Sequence, residues 1–140
     1  KNDNNLFAFY LAQDDIDAAK AKMKNVFWAI CPLSNIFIHN ALPPIALMRK
    51  NGLDIMLGTD SLSSNDDLDM VKEMYCLRAN FPEVPMSEII TWATANGARF
   101  LLKEDVLGSI EVGKKPGIVR ISNIDEHGCV TSASSSERIR

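Results

Sequence analysis

Asp54-Ile55-Met56-Leu57-Gly58-Thr59-Asp60-Ser61-Leu62 decides the fold. A short apolar run opens directly into a Gly-Thr-Asp-Ser turn, which puts a lone aspartate at the C-terminal mouth of a buried strand. In parallel α/β proteins that end of the strands carries the chemistry. Upstream, a second apolar run, Val26-Phe27-Trp28-Ala29-Ile30, opens into Cys31-Pro32-Leu33-Ser34-Asn35. Two strands that end in polar, loop-forming motifs at this spacing read as consecutive units of a barrel. The 140 residues hold only part of one.

Reading outward from these runs gives strand, helix, strand, helix, strand, helix, further helices and a hairpin. Leu6–Leu11 reads as the first strand and Val26–Cys31 as the second, continuously apolar like a strand covered on both faces. Ile55–Gly58 is the third. Between the first two, Gln13–Lys24 reads as a helix with Asp14, Asp15 and Asp17 early, Lys20, Lys22 and Lys24 late, and Ile16, Ala19 and Met23 as its buried stripe. Cys31 to Asn35 reads as a turn shaped by Pro32 and Asn35. Pro43-Pro44 starts a helix that Gly52 ends, packed through Ile45, Leu47 and Met48.

Asn65 is the expected N-cap of a helix over Asp66–Asn80, with Leu68, Val71, Tyr75 and the Arg78 stem on its inner face. Ser87 is the expected cap of a helix to Asn96, and Gly97 divides it from a short helix ending near Leu102. Gly108, Gly113 and Gly117 then separate Ile110–Val112 and Ile118–Ile121, which read as a hairpin. Thr131–Arg140 is Ser-rich and charged and reads as a mobile tail. The alternation argues for an α/β chain with a parallel sheet.

Composition narrows the function classes. With 46% apolar and 24% charged residues the chain reads as globular. A net charge of −3 without a Lys/Arg cluster argues against a nucleic-acid partner. No apolar run reaches spanning length, so no membrane partner is expected. Cys31, Cys76 and Cys129 are odd in number and form no CxxC pair, which suggests reduced thiols, a cytoplasmic location and no zinc–cysteine site. There is no GxSxG, and Gly113-Lys114-Lys115 lacks P-loop spacing. The methionines are expected as core filler.

Several of these motifs, in this order, resemble the metal-dependent amidohydrolase superfamily, in its deaminase and chlorohydrolase branch. The motifs are Cys31-Pro32-Leu33-Ser34-Asn35, Leu42-Pro43-Pro44, Gly52, Leu57–Asn65, Ala93-Thr94-Ala95-Asn96-Gly97-Ala98 and Gly108–Lys115. The likeness covers roughly residues 6 to 125. It implies that residues 1–104 are the last three βα units of a (β/α)8 TIM-type barrel, strands six to eight. Residues 105–140 would then be a C-terminal β segment. The reaction implied is hydrolysis of carbon–nitrogen (non-peptide) or carbon–chlorine bonds of a nitrogen heterocycle.

The same resemblance makes Asp60 a ligand to a divalent metal, zinc or else iron, and the acceptor of a proton from the water the metal activates. A metal lowers the water's pKa to about 7, and an adjacent carboxylate can take the proton. On its residues alone, Asp60 reads equally as a carboxylate capping a turn with Ser61. Ser34 and Asn35 would touch substrate or support the site, or shape the turn locally. Ser61, Ser63, Ser64 and Asn65 read as support and cap.

One carboxylate does not hold a metal. The family's HxH pair on strand one and histidine on strand five match nothing here, and neither does its glutamate on strand five. Phe7 or a neighbour stands where strand six carries a histidine. His39 and His127 match no ligand position and read as loop or surface residues. Three parallel strands leave two open edges, and Val26–Cys31 and Ile55–Gly58, apolar on both faces, need cover. The chain is therefore expected to be a fragment of a longer enzyme, to pair with a chain supplying the missing strands, or to self-associate. A catalytically inactive remnant or assembly module is the alternative.

Overall fold

Three short strands run parallel and side by side: β1 (Asn5–Ala8), β2 (Val26–Ile30) and β3 (Asp54–Leu57). The computed structural model describes the backbone of residues 5–8 and 11–139, and the side chains of residues 11–139. Asn5 pairs with Val26 and Ala8 with Ala29, while Phe27 pairs with Asp54 and Ile30 with Leu57. Helix α1 (Gln13–Lys22) joins β1 to β2. Helices α2 (Pro32–His39) and α3 (Ile45–Lys50) join β2 to β3. After β3 come α4 (Met70–Asn80), α5 (Met86–Ala93) and α6 (Ala95–Phe100). An antiparallel pair follows, β4 (Val119–Ser122) with β5 (Ser135–Arg138).

Strand alternation gives the sheet two different faces. Trp28 and Ile30 with Ile55 and Leu57 join one core with Ile16, Ile45, Leu77, Ile89 and Trp92 from the helices. Val130 also packs there, so the C-terminal segment is docked on the core. On the opposite face, α6 closes the N-terminal ends of β2 and β3. The Phe100 ring meets Phe27 edge-on at 5.6 Å, and the Arg99 guanidinium lies 5.5 Å from the Phe27 centroid. Arg99 Nη2 also reaches Asp54 Oδ1 at 2.7 Å. Asn96 Nδ2 donates to the carbonyl oxygen of Ile55 at 2.6 Å.

The α/β alternation and parallel strands match the sequence reading, with differences of local cause. β1 spans Asn5–Ala8 rather than Leu6–Leu11; Phe9 and Tyr10 lie outside the described residues, and Leu11 is a buried residue beyond the strand. β2 ends at Ile30 because Cys31 is already the N-cap of α2, a helix where a turn was expected. Pro32 at its first turn suits a helix start. The next free amide, Leu33 N–H, is satisfied from another helix by Glu73 Oε2 at 2.9 Å. Asn40 ends α2 in the left-handed conformation, φ 50°.

β3 starts and ends one residue earlier than expected, and α1 stops at Lys22. Met23 is that helix's C-cap and is exposed, so only Ile16 and Ala19 form its stripe. Helix α4 begins at Met70, because Asp69, not Asn65, caps it through Val71 N–H at 2.8 Å. Its buried face is Val71, Glu73, Met74, Cys76 and Leu77, while Leu68 and Tyr75 are exposed. Ser87 caps nothing; Pro85 precedes α5. The break before α6 falls at Thr94, where φ −136° and ψ −79° leave the helix, and Gly97 lies inside α6.

Ile110–Val112 is not a strand, and the partner of β4 is Ser135–Arg138, in the stretch expected to be a mobile tail. All four residues of β5 are exposed, and its pairing rests on the backbone ladder with the Arg120–Glu137 ion pair, which leaves no apolar alternation to read. Met48, Met56 and Met74 are buried, as expected of core methionines.

Candidate active site

The site is built where β3 runs out. Gly58 N–H still bonds the Ile30 carbonyl at 2.9 Å, and two residues later Asp60 sits exposed at the strand's C-terminal end. Its backbone is left-handed, φ 58°. A non-glycine residue there costs about 1–2 kcal/mol and needs its surroundings to hold it.

Two hydroxyls grip one carboxylate oxygen. Ser34 Oγ lies 2.8 Å and Ser64 Oγ 3.0 Å from Asp60 Oδ2, and the two hydroxyl oxygens are 2.9 Å apart. Each hydroxyl has one proton, and aiming both at Oδ2 gives that oxygen two donors. Oδ1 has no hydrogen-bond partner among the described residues. Ser34 is buried to 1% exposure and Ser64 to 6%, so their contacts with the carboxylate are shielded from competing water.

Other residues singled out by sequence sit nearby with different partners. Asn35 is buried and its Oδ1 accepts from Cys31 N–H at 3.4 Å, within its own helix start. Ser61 Oγ pairs with Ser63 Oγ at 2.6 Å on the surface, and its carbonyl accepts from Ser64 N–H at 3.0 Å. Asn65 Nδ2 donates to the Thr59 carbonyl at 3.0 Å and to Glu73 Oε1 at 2.7 Å. The side chain of Phe7 lies outside the described residues. His39 and His127 are exposed.

Glu73 was not legible as part of this site. It is wholly buried at 0% exposure, and burial pushes its carboxyl above the ordinary range while the Leu33 and Asn65 donors pull it back. The available signal was a charged residue between Val71 and Met74 on the apolar side of the helix. Cys31, from the end of β2, borders the site as well. Burial, then the Asp60 and Glu73 charges, push its thiol up to about 11. The thiol therefore stays protonated at neutral pH and is a poor nucleophile.

Among the described residues no group of three His, Cys, Asp or Glu side chains could hold a metal ion. Asp60 fits one position of a metal site: an anionic oxygen, oriented through its twin and without a partner among the described residues. A complete coordination shell needs ligands beyond these residues.

A short parallel sheet with helices after its strands, and a carboxylate at a strand's C-terminal end, define an α/β protein with a candidate site at that end. The sequence profile of the amidohydrolase family matches residues 7–133, and the chain belongs to that family. Its relatives place it in the deaminase branch. The 5-methylthioadenosine/S-adenosylhomocysteine deaminase of Caldanaerobacter subterraneus subsp. tengcongensis is 35% identical over 120 residues, 80% of this chain and 27% of that protein. The 5'-deoxyadenosine deaminase of Methanobrevibacter smithii is 28% identical over 137 residues, 93% of this chain and 31% of that protein.

Among solved structures, an adenosine deaminase from Xanthomonas campestris with bound zinc superposes with a TM-score of 0.69 at 28% identity. The match covers 81% of this chain and 28% of that one. Helicobacter pylori aminofutalosine deaminase superposes with a TM-score of 0.69 at 29% identity, covering 79% and 28% respectively. The chain thus spans less than a third of the length of each of these relatives, and it is a partial piece of their fold.

Proposed function

We propose that residues 1–104 supply the last three βα units of a (β/α)8 barrel, and residues 105–140 its C-terminal β segment, in a hydrolytic deaminase of adenosine-type nucleosides. The single observation that carries this reading is the Asp60 carboxylate at the end of β3, one oxygen held by Ser34 and Ser64 and the other unpartnered among the described residues. Relatives named as deaminases of methylthioadenosine, S-adenosylhomocysteine and 5'-deoxyadenosine support the substrate class. Carbon–chlorine hydrolysis, the other chemistry the sequence suggested, has no relative named for it among those described.

The reaction class is replacement of an exocyclic amino group by water, releasing ammonia. Among the described residues Asp60 would be the ligand to a divalent cation, zinc by analogy with the Xanthomonas enzyme. Such a cation supplies polarisation of water and substrate when bound. Asp60 Oδ1 would take a proton from the attacking water and release it toward the leaving amine. Ser34 and Ser64 orient the carboxylate without competing for that proton, since both already donate to Oδ2. Asn35 and Ser61 support the segments on either side.

The test is ammonia release from the complete protein with methylthioadenosine, S-adenosylhomocysteine and 5'-deoxyadenosine as substrates. Asp60→Asn is expected to lose turnover by several orders of magnitude with an unchanged circular-dichroism spectrum. Retained turnover refutes the role of Asp60.

A second reading, an inactive module that assembles with a partner chain, draws on the missing metal ligands among the described residues and on the lack of any histidine before His39. Elemental analysis separates the two. About one zinc per complete protein supports the enzyme, and none supports the module.

A further inference from the structure

Asp60 is fixed by more than its two serines. The peptide between Thr59 and Asp60 is held through its carbonyl, which accepts from Asn65 Nδ2 at 3.0 Å. Rotating that peptide changes φ of Asp60, so this contact bears on the left-handed turn that aims the carboxylate. The same Asn65 amide nitrogen donates to Glu73 Oε1 at 2.7 Å. Glu73 Oε2 accepts from Leu33 N–H at 2.9 Å, next in the chain to Ser34, whose hydroxyl lies 2.8 Å from Asp60 Oδ2.

These contacts close a ring through three elements. Glu73 on α4 grips the start of α2, α2 delivers Ser34 to Asp60, and Asn65 ties the strand-end peptide back to Glu73. We propose that Asn65 and Glu73 are positioning residues for Asp60, setting the direction of its carboxylate through the 59–60 peptide and the first turn of α2. The inference rests on the reading of Asp60 given above. Neither residue hydrogen-bonds Asp60. A buried carboxylate is a costly way to join two helices, since an apolar pair fills the same volume without desolvating a charge. It is suited to a site that needs one donor on each of two loops held at fixed distance.

The test uses the complete protein, with Asn65→Ala as the main variant because that side chain is only partly buried, and Glu73→Gln as the second. Glu73→Gln keeps the volume but presents an amide nitrogen to the Asn65 donor. Two quantities are read on protein that is folded at the assay temperature. One is the zinc dissociation constant, by competition with a chromophoric chelator; the other is kcat and KM for ammonia release.

Asn65→Ala is expected to weaken zinc binding and lower kcat, each by about 10- to 100-fold, with KM near the wild-type value. Glu73→Gln should move both in the same direction. A purely structural role would lower the melting temperature and leave the zinc affinity and kcat of the folded protein alone. Wild-type values of both in folded Asn65→Ala and Glu73→Gln overturn the inference. Asp60→Asn, run alongside, separates the failures. If it also keeps zinc affinity and turnover, the reading of Asp60 falls too. Wild-type protein that neither binds zinc nor releases ammonia overturns both.

Discussion

Glu73 is fully buried and ionisable, so its protonation is linked to folding. Burial raises its folded-state pKa above the ordinary 4.5, and the Asp67 carboxylate adds to the shift, while the Leu33 and Asn65 donors oppose it. The folded state therefore holds this proton more tightly than the unfolded chain. Stability from this group is greatest below pH 4.5 and is lost as pH rises through the raised value. Urea midpoints taken across that range should fall with rising pH in wild-type protein, with that component missing from Glu73→Gln. Parallel profiles would contradict the linkage. Asp60 was legible from sequence because its signal is local: an apolar run ending in a glycine and a carboxylate. Glu73 was not, because its partner lies 40 residues away and a lone glutamate in a helix ordinarily faces water.

Gly108 shows how tightly α6 is seated. Its φ is +86°, and a Cβ there would lie 2.7 Å from Ala98 Cβ and 3.0 Å from Ala95 Cα. The backbone conformation alone disfavours a side chain by about 1–2 kcal/mol, and the contacts with two α6 residues leave no room to relax. Gly108→Ala is expected to destabilise by about 2–4 kcal/mol, read by urea denaturation; an unchanged midpoint would mean that α6 shifts freely. The elements legible in sequence were those with a continuous physical signal. β2 and β3 are apolar runs, and α1 carries acids early and lysines late. α2 was missed because its first turn is satisfied by Glu73 from α4. The start of α4 was misplaced because the capping acceptor is Asp69, which takes Val71 N–H, while Asn65, a good cap by type, donates to Thr59 and Glu73. β5 was missed because four exposed polar residues carry no pattern.

Taken whole, the chain leaves large apolar side chains in solvent: Phe37 is 70% exposed, Leu62 67% and Ile110 81%. No helix among the described residues is long and apolar enough to cross a membrane. The 140 residues expressed alone are expected to bind an apolar dye and to elute above monomer mass in size exclusion with light scattering; a monodisperse, dye-silent monomer would contradict this. At the outer side of β3, Asn96 bears on any strand that would pair there. Gly58 N–H bonds the Ile30 carbonyl, so the even-numbered residues of β3 direct their backbone groups toward β2 and Ile55 directs its own outward. That outward carbonyl is already taken by the Asn96 amide. An incoming strand finds its first acceptor occupied and has to begin pairing at Leu57. The side chain of Asn96 thus works as a ruler: it fixes how far along the sheet a newcomer is seated, and with that the height at which the newcomer's last residues stand opposite the aspartate.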